Sequence, residues 1–468
     1  IIMPFTSAGF LFFFLPITIV LYYLFNFIGK NQLNNLLLIL FSLSFYMVSG
    51  LRTTIYLILF IIIIYFSGKI LDYINTKSTK RSFFILSLLF VVLTLSYYKY
   101  ITFILELFQS GTGILSIVIP LGLSFIMFEA ISYLVDIYKG DTKSGSLIDV
   151  FLFFTFFPKI ASGPIVLWKD FSSQIYNRKV SVDLFFSGMN RVMIGFAKKS
   201  IIADSLGTVV QSINENTQLG IDSPTAFLGA LCYFLQIYYD FSGYSDIAIG
   251  ISRIFGFDFK ENFNYPYTST SIGEFWRRWH ISLGTWFREY IYIPLGGNRK
   301  HVYINLFVVF LITGIWHGST FNFVIWGVAH GLLIMIERAF REKVWYKKIP
   351  ALFKWMFTMV FVYLTWIIFM IPSLTQAIIY YKSMLGIPAG NIYFTFEYFV
   401  NNKLILIIIV AIIGAFIGKW DKVELIKVWS RDTKTGLIFS QMLYMMLFVL
   451  AILFMMNSSY SPFLYFQF

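Results

Sequence analysis

The chain has 468 residues, of which 58% are hydrophobic and only 13% are charged, and its mean hydropathy is +0.75. A soluble domain of this length needs far more charged surface, so the composition excludes a water-soluble protein and indicates helices within a lipid bilayer. The formal charge of +13 does not indicate nucleic-acid binding, because the basic residues lie in short loops between apolar runs, as in cytoplasmic loops of membrane proteins.

The first third of the chain alternates apolar runs with short loops. Five spans are predicted there, at 10–29, 33–49, 55–74, 82–98 and 114–138, and Pro120 and Gly122 interrupt the fifth. Basic residues follow the odd-numbered spans, at Lys30 and near residues 77–81 and 139–143. The positive-inside rule therefore places these loops in the cytoplasm and the N-terminus outside.

The middle of the chain mixes apolar and polar segments. The apolar stretch 147–164 is broken by Pro158 and a Ser-Gly-Pro turn, which favours a re-entrant or interfacial piece. Helices are predicted at 184–210 and 226–255. The polar, aromatic segment 238–246 either lines a cavity or belongs to an interfacial aromatic belt. The region 256–300 is too polar to span, and it predicts helices lying against the membrane with a turn at 294–297.

The remainder of the chain predicts further spans at 302–316, 321–339, 352–371, 404–418 and 437–456, with a basic loop at 419–434. The total is about eleven to thirteen membrane segments. The predicted fold class is therefore an all-α polytopic integral membrane protein. We predict a single domain over 1–468, with a catalytic core at about 115–340.

All four histidines lie within the stretch 273–331. Rising about 1.5 Å per residue, the run 302–316 climbs roughly 20 Å of a ~30 Å hydrocarbon core and leaves His317 deep in the membrane. Apolar surroundings favour a neutral imidazole, which can accept a proton as a general base. Gly314 and Gly318 are expected to leave room for a substrate chain. The alternative for His317 is a packing histidine bonded to a backbone carbonyl.

The other three histidines carry weaker signals. His280 lies one helical turn after Trp276, so the two are expected to share a helix face. His301 adjoins two basic residues and is expected to face lipid headgroups. His330 follows His317 by 13 residues, which predicts roughly opposite faces of a continuous helix.

Basic and aromatic residues are interleaved between residues 276 and 300. This mixture is typical of a site that holds phosphates and stacks an adenine, but it is equally typical of positive-inside anchors within an aromatic belt. The sequence contains no P-loop, Rossmann fingerprint, H-E-x-x-H motif or Cys–His metal spacing. We therefore predict no metal and no bound cofactor. The residues concerned are Arg277, Arg278, Arg288, Arg299, Lys300, Trp276, Trp279, Trp286 and Tyr290.

Three motifs in this region resemble the membrane-bound O-acyltransferases, most of all the bacterial branch of alginate and peptidoglycan O-acetylation membrane proteins. They are E-F-W-R-R-W-H-I-S-L (274–283), W-F-R-E-Y-I-Y-I-P-L-G-G-N-R (286–299) and G-I-W-H-G (314–318). Supporting stretches include P-L-G-L-S-F-I-M-F-E-A (120–130), F-P-K-I-A-S-G-P-I (157–165) and Y-Y-D-F-S-G-Y-S-D (238–246). The resemblance runs from the N-terminus to about residue 331.

The resemblance implies about eleven transmembrane helices around a central tunnel, with cytosolic acetyl-coenzyme A entering as co-substrate from one side and the acceptor from the other. It puts the catalytic histidine at His317 and a second active-site position at His280, where a polar orienting role is expected. The predicted substrate- or coenzyme-binding residues are Trp276, Arg277, Arg278, Trp286, Arg288, Tyr239, Asp240 and Asn322.

In this branch the acetyl group is thought to cross the bacterial cytoplasmic membrane and pass to a secreted partner of the SGNH-hydrolase type or to a polysaccharide hydroxyl. Two alternatives remain. One is transfer of D-alanine from a carrier-protein thioester to teichoic acid. The other is a transporter with a histidine proton relay, which predicts inverted repeats that the sequence does not show.

Overall fold

The computed structural model describes residues 4–29, 31–108, 119–371, 373–419, 429–430 and 433–457. Within these ranges the regular structure is helical, without strands. The all-helical class predicted from the apolar runs is confirmed. Lys30, residues 114–118 of the fifth predicted span, and most of the predicted basic loop 419–434 lie outside the described residues.

Contacts divide the chain into two compact units. The first comprises most of the chain up to Val192 together with Ser245–Glu261, and the second comprises Met193–Tyr244 and the described residues from Asn262 onward. The single domain over 1–468, with its catalytic core at about 115–340, stays a prediction.

The first three helices follow the predicted spans to within a few residues, whereas the fourth, Lys77–Phe108, extends well beyond its predicted bounds at 82 and 98. The fifth helix begins only at Leu123, because Gly122 adopts a left-handed conformation (φ 67°). A Cβ at Gly122 would lie 1.8 Å from the carbonyl oxygen of Ile160, so the close backbone approach requires glycine. The helices are Phe10–Phe14 continuing as Leu15–Phe27, Asn31–Met47, Leu51–Tyr73, Lys77–Phe108, Leu123–Lys139, Leu147–Thr155, Phe157–Ile160, Trp168–Ser172 and Val182–Ala197.

The apolar stretch at 147–164 forms two short helices, so the predicted break is present, whereas its placement as a re-entrant or interfacial piece stays a prediction. Phe156, whose backbone is not helical, separates them. Lys159 lies in the second helix and is fully buried, where its Nζ donates to both carboxylate oxygens of Glu129 at 2.6 Å. This pairing explains how a lysine and a glutamate are accommodated in apolar surroundings, since buried charges need close partners.

The later helices also match the predicted spans to within a few residues. The turn predicted at 294–297 is present, with positive φ angles at Gly296 (115°) and Gly297 (55°). The principal helices are Lys198–Ala203 (π-helical) continuing as Asp204–Asn216, Ser223–Ile254, Ile272–Arg278, Ile281–Phe287, Val302–His317, Phe321–Phe340, Ala351–Met370, Leu374–Met384, Asn402–Phe416 and Lys434–Asn457.

Membrane character follows from helix length and apolar composition. Among the residues described, six helices are long and apolar enough to cross a bilayer, and Val302–His317 and Asn402–Phe416 are shorter apolar helices. Many large apolar side chains on these helices are exposed, as expected for surfaces that face lipid. The count of about eleven transmembrane helices and the central tunnel stay predictions.

Candidate active site

The helices Val302–His317 and Phe321–Phe340 form a tightly packed hairpin. A Cβ at Gly314 would lie 2.3 Å from the carbonyl oxygen of Phe323, and a Cβ at Gly318 would lie 2.1 Å from the Phe323 ring. Gly314 therefore lets the two helix backbones approach each other, as small residues do in membrane helix pairs, and Gly318 leaves room for the Phe323 ring. The prediction that they leave room for a substrate chain is wrong.

His317 is the last residue of its helix and is buried, with 3% of its surface exposed. The helix ends there because Gly318 is extended, and the chain then turns into the second helix of the hairpin. Ring centroids of Trp326 and Phe369 lie 5.3 and 5.1 Å from that of His317, both in edge-on arrangements. The imidazole is thus enclosed largely by aromatic side chains.

His330 forms a hydrogen-bonded link between two other helices. The indole Nε1–H of Trp276 donates to His330 Nδ1 at 3.2 Å, and His330 Nε2 lies 3.1 Å from Thr365 Oγ1. Because the Thr365 hydroxyl donates to the carbonyl of Phe361, His330 Nε2–H must be the donor to Thr365. The neutral Nε2–H tautomer is therefore fixed by its partners, and His330 holds the Trp276 indole in place.

The predicted placement of His330 and His317 on opposite faces of one helix is wrong. The helix ends at His317 and the chain reverses, so the regular helical rotation of about 100° per residue does not continue across the break. Both imidazoles instead contact the indole of Trp326, with centroid distances of 4.7 Å for His330 and 5.3 Å for His317.

His280 lies at a sharp reversal of the backbone. The helix Ile272–Arg278 ends before it, His280 takes a left-handed conformation (φ 45°), and the next helix begins at Ile281. The prediction that His280 and Trp276 share a helix face is therefore wrong, because no helix connects them. They nevertheless line one cavity together.

The polar partners of His280 determine which ring nitrogen carries the proton. Its Nδ1 lies 3.2 Å from Asn262 Oδ1, which also accepts from the backbone N–H and the hydroxyl of Ser282 at 3.1 and 2.9 Å. Because that backbone N–H can only donate, Oδ1 is an acceptor and His280 Nδ1–H donates to it. Burial lowers the pKa of His280 to about 3. The ring is therefore neutral near neutral pH, with its lone pair on Nε2.

A cavity of about 390 Å³ lies beside His280. Two arginines in its wall, Arg277 and Arg288, are exposed, whereas most of the other lining residues are apolar. Thr313, one helical turn before His317, also contributes to the wall, but His317 does not. The arrangement suits a ligand with an apolar body and anionic groups near the arginines. The remaining lining residues are Trp276, Ile281, Leu283, Gly284, Thr285, Phe287, Tyr292, Leu306, Val309, Phe310 and Ile334.

Two predicted binding residues near the cavity are not part of its wall. Arg278 donates from Nε to Glu274 at 2.9 Å, one helical turn earlier, and from Nη1 to the carbonyl of Asn264 at 3.1 Å. Trp286 is buried against Tyr290, with ring centroids 5.4 Å apart. Their contacts stabilise the 264–290 segment, and their role in binding stays a prediction.

Three more predicted residues make contacts that stabilise helix packing. The hydroxyl of Tyr239 donates to the carbonyl of Ala411 at 2.6 Å, and Asn322 Nδ2 donates to the carbonyl of Ile371 at 2.6 Å. Asp240 accepts from Lys199 Nζ at 2.7 Å. None of the three lines the cavity beside His280, and their assignment to substrate binding also stays a prediction.

Sequence reasoning missed Asn262, Ser282 and Thr365. Asn262 precedes His280 by 18 residues in an irregular segment, so no helical period links the two. Among the residues described, no group of three or more His, Cys, Asp or Glu side chains could hold a metal ion. The absence of a metal from the mechanism stays a prediction.

Comparison with known proteins agrees with these features. Residues 138–381, a little more than half of the chain and a range that includes His280 and His317, match the membrane-bound O-acyltransferase family model. The chain is 38% identical to the probable alginate O-acetylase AlgI of Pseudomonas putida over 100% of both chains. It is 34% identical to the peptidoglycan O-acetyltransferase of Helicobacter pylori over 82% of this chain and 80% of that protein.

A third relative bears on the D-alanine alternative. The chain is 32% identical to the teichoic acid D-alanyltransferase of Bacillus subtilis, but over only 50% of this chain and 62% of that protein. The family match and the full-length similarity confirm the resemblance carried by the motifs around His280 and His317. This chain belongs to the membrane-bound O-acyltransferase family.

Proposed function

We propose that this protein is an O-acetyltransferase that moves an acetyl group from cytosolic acetyl-coenzyme A to a hydroxyl acceptor across the bacterial cytoplasmic membrane. The observation that carries the proposal is the apolar cavity with His280 in its wall and Arg277 and Arg288 exposed beside it. The relatives named for alginate O-acetylation and peptidoglycan O-acetylation support acetyl as the group transferred and a polysaccharide as the final acceptor.

The cavity suits the donor in its chemistry. Its volume of about 390 Å³ falls in the range of small-molecule sites, and its apolar wall matches the pantetheine arm and the acetyl thioester. Arg277 and Arg288 would pair with the phosphates of coenzyme A, since guanidinium groups bind phosphate through two parallel hydrogen bonds. Trp276, held by His330, offers an indole ring as part of the wall.

His317 is the proposed general base. As the acceptor oxygen attacks the thioester carbonyl carbon, His317 takes the hydroxyl proton. The C–S bond then breaks, and coenzyme A leaves as a thiolate that recovers the proton from His317. His280 has its Nε2 lone pair in a ring fixed by Asn262 and would orient the reacting groups. Burial of both imidazoles would limit hydrolysis of the thioester by excluding water.

The acceptor is a hydroxyl on a secreted SGNH-hydrolase-like partner or on the polysaccharide itself. The positive-inside pattern supports an N-terminus outside the cytoplasm, which would direct the basic loops and the donor toward the cytosol. The lipid bilayer is the solvent for the spanning helices, and nucleic acid is not a partner.

Transfer of D-alanine to teichoic acid is the second candidate, since a relative with that name is 32% identical over half of this chain. Acetyl transfer is favoured because a relative named for O-acetylation matches over the whole chain. The transporter alternative has no comparable support, because the matched family consists of acyltransferases.

Purified protein in nanodiscs tests the proposal directly. It would receive either acetyl-coenzyme A labelled in the acetyl group or a carrier protein labelled with D-alanine, together with an oligosaccharide and the SGNH partner as acceptors. We expect label from acetyl-coenzyme A to appear as an ester on an acceptor. Label from the carrier protein alone would favour the second candidate, and no transfer from either donor would contradict both.

A further inference from the structure

A second cavity, of about 370 Å³, lies within the second unit where helix ends meet. Its wall combines the start of Asn402–Phe416, the end of Lys434–Asn457 and part of Asp204–Asn216. It shares no lining residue with the cavity beside His280. It is therefore a separate feature from the candidate active site.

One side of this cavity is electropositive. The helix Asn402–Phe416 starts there, with Asn401 as its cap accepting from the backbone N–H of Leu404 at 2.9 Å. First-turn N–H groups and the helix dipole favour an anion at such a start. Lys403, exposed in this first turn, adds an ammonium group, which lies 4.7 Å from the centre of the Phe454 ring.

Other parts of the cavity wall carry negative charge. The helix Lys434–Asn457 ends at the cavity, and the carbonyl end of a helix carries partial negative charge. Asp204 also lines the cavity, with its carboxylate 2.7 Å from the ammonium of Lys199. A carboxylate has room for several donors, so Asp204 can accept from a ligand ammonium while it remains paired with Lys199. The cavity thus offers both signs of charge.

The hydroxyl of Ser200 provides independent evidence for a ligand. Ser200 lines the cavity and is 2% exposed, and its Oγ has no hydrogen-bond partner among the described residues. A buried hydroxyl without a partner destabilises the folded state, and a hydrogen bond to a polar ligand atom in the cavity would remove this cost. Ser200 also lies in the π-helical segment Lys198–Ala203, and π-helical turns are frequent at functional sites.

The rest of the wall is apolar and continuous with a lipid-facing surface. Ile407, Leu450 and Leu453 line it, and Leu453 is half exposed. Most side chains of Lys434–Asn457 are exposed or only partly buried, as expected for a helix with one face toward lipid. Hydrocarbon chains lying against that helix would reach the cavity directly.

We infer that this cavity binds the headgroup of a zwitterionic phospholipid. The phosphate lies toward Lys403 and the first turn of Asn402–Phe416, the ammonium lies toward Asp204, and the acyl chains pack along Lys434–Asn457. A sugar fits less well, because Lys403 covers a face of the Phe454 ring that a sugar would use for stacking. The inference is independent of the proposed acetyl transfer.

Native mass spectrometry of the full chain in mild detergent tests this inference. Titration with phosphatidylethanolamine should show one tightly bound lipid, and phosphatidylglycerol, which lacks the ammonium, should bind several-fold more weakly. Lys403→Gln should weaken phosphatidylethanolamine binding by about tenfold, the effect of losing one charge-assisted hydrogen bond. Lys382→Gln, which removes another exposed lysine outside the cavity wall, should leave binding unchanged.

Several outcomes would overturn the inference. They are equal binding of the two lipids, unchanged binding in Lys403→Gln, an equal loss in Lys382→Gln, displacement by inorganic phosphate alone, and displacement by an oligosaccharide. Ser200→Ala gives a second, milder measurement, because it removes only a neutral hydrogen bond. It should weaken phosphatidylethanolamine binding by a few-fold, and an unchanged affinity would contradict the inference, because the unpartnered Ser200 hydroxyl is its independent evidence.

Discussion

Two of the buried histidines, His280 and His317, have contrasting surroundings within one unit. His280 lies in a left-handed turn, is hydrogen-bonded to Asn262, and lines a cavity. His317 ends a membrane helix and is packed among aromatic rings, one turn beyond the cavity wall at Thr313. From this difference we propose a division of roles, in which His280 orients the reacting groups beside the cavity and His317 acts as the general base.

The largest expected effect is at His317. His317→Ala should reduce acetyl transfer by about a hundredfold to ten-thousandfold, the usual contribution of a positioned general base. The rate of transfer is measured as incorporation of the labelled acetyl group into the acceptor, with expression and membrane insertion checked in parallel. His301→Asn is the matched control, because His301 is exposed and outside the cavity. Near-normal transfer by His317→Ala would remove the catalytic role from this residue.

The next effect concerns the arginines beside the cavity. Arg277→Gln and Arg288→Gln should each raise the KM for acetyl-coenzyme A by about tenfold with little change in kcat, as expected for loss of a phosphate contact made equally in ground and transition states. Arg299→Gln removes a basic residue of the same sequence cluster that does not line the cavity, so its KM should not change. Similar KM values for all three variants would show that the cavity does not hold the phosphates.

The pH dependence of stability should distinguish His280 from an exposed histidine. Burial lowers the pKa of His280 to about 3 in the folded state, against about 6.5 for an unperturbed histidine. At pH values between these two pKa values the unfolded chain therefore binds more protons than the folded chain, so stability falls as the pH decreases. Between about pH 7 and about pH 5 the loss from this group should be about 2 kcal/mol.

Thermal unfolding in detergent at the two pH values measures this loss. His280→Asn should remove the contribution of His280 to the pH dependence of stability, because asparagine tolerates the left-handed backbone. His301→Asn should retain that contribution. The two positions are well matched, since each is a histidine with positive φ immediately before a helix. An identical pH dependence in both variants would contradict the neutral, buried state of His280.

The smallest expected effect lies behind the cavity wall, at Thr365. Thr365→Val removes the acceptor for His330 Nε2–H and should lower the free energy of unfolding by about 1 kcal/mol. Because His330 holds Trp276 in the cavity wall, the KM for the donor should also rise a few-fold. Thr365→Ser keeps the hydroxyl and should restore the donor KM. Failure of serine to restore it would assign the effect to packing rather than to the hydrogen bond.

Much of the fold was predictable because bilayer-length apolar runs are a local property of the chain. The spans ending near Phe27, Tyr73 and Met370 appear within a few residues of their predicted positions. The errors occurred where backbone geometry overrides hydropathy. The left-handed Gly122 delays the fifth helix, and the left-handed His280 separates two helices that were expected to be one.

The candidate site was only partly predictable, for a related reason. His280, Trp276, Arg277 and Arg288 stand close together in the sequence, and the structure brings them to one cavity. Helical periodicity misplaced His330, because the periodicity does not continue through the chain reversal after His317. The contact of both imidazoles with Trp326 could be seen only once the hairpin was folded.

The sequence by itself determined that this protein is a helical membrane protein and, through its motifs, that it belongs to the membrane-bound O-acyltransferase family, since both depend on runs of neighbouring residues. Only the tertiary structure decided which polar groups meet. Asn262 reaches His280, Thr365 reaches His330, and Ser200 opens onto a second cavity. Those pairings depend on turns and on close helix contacts at glycines, which bring together residues far apart in the chain. Such contacts produce no periodic pattern in the sequence.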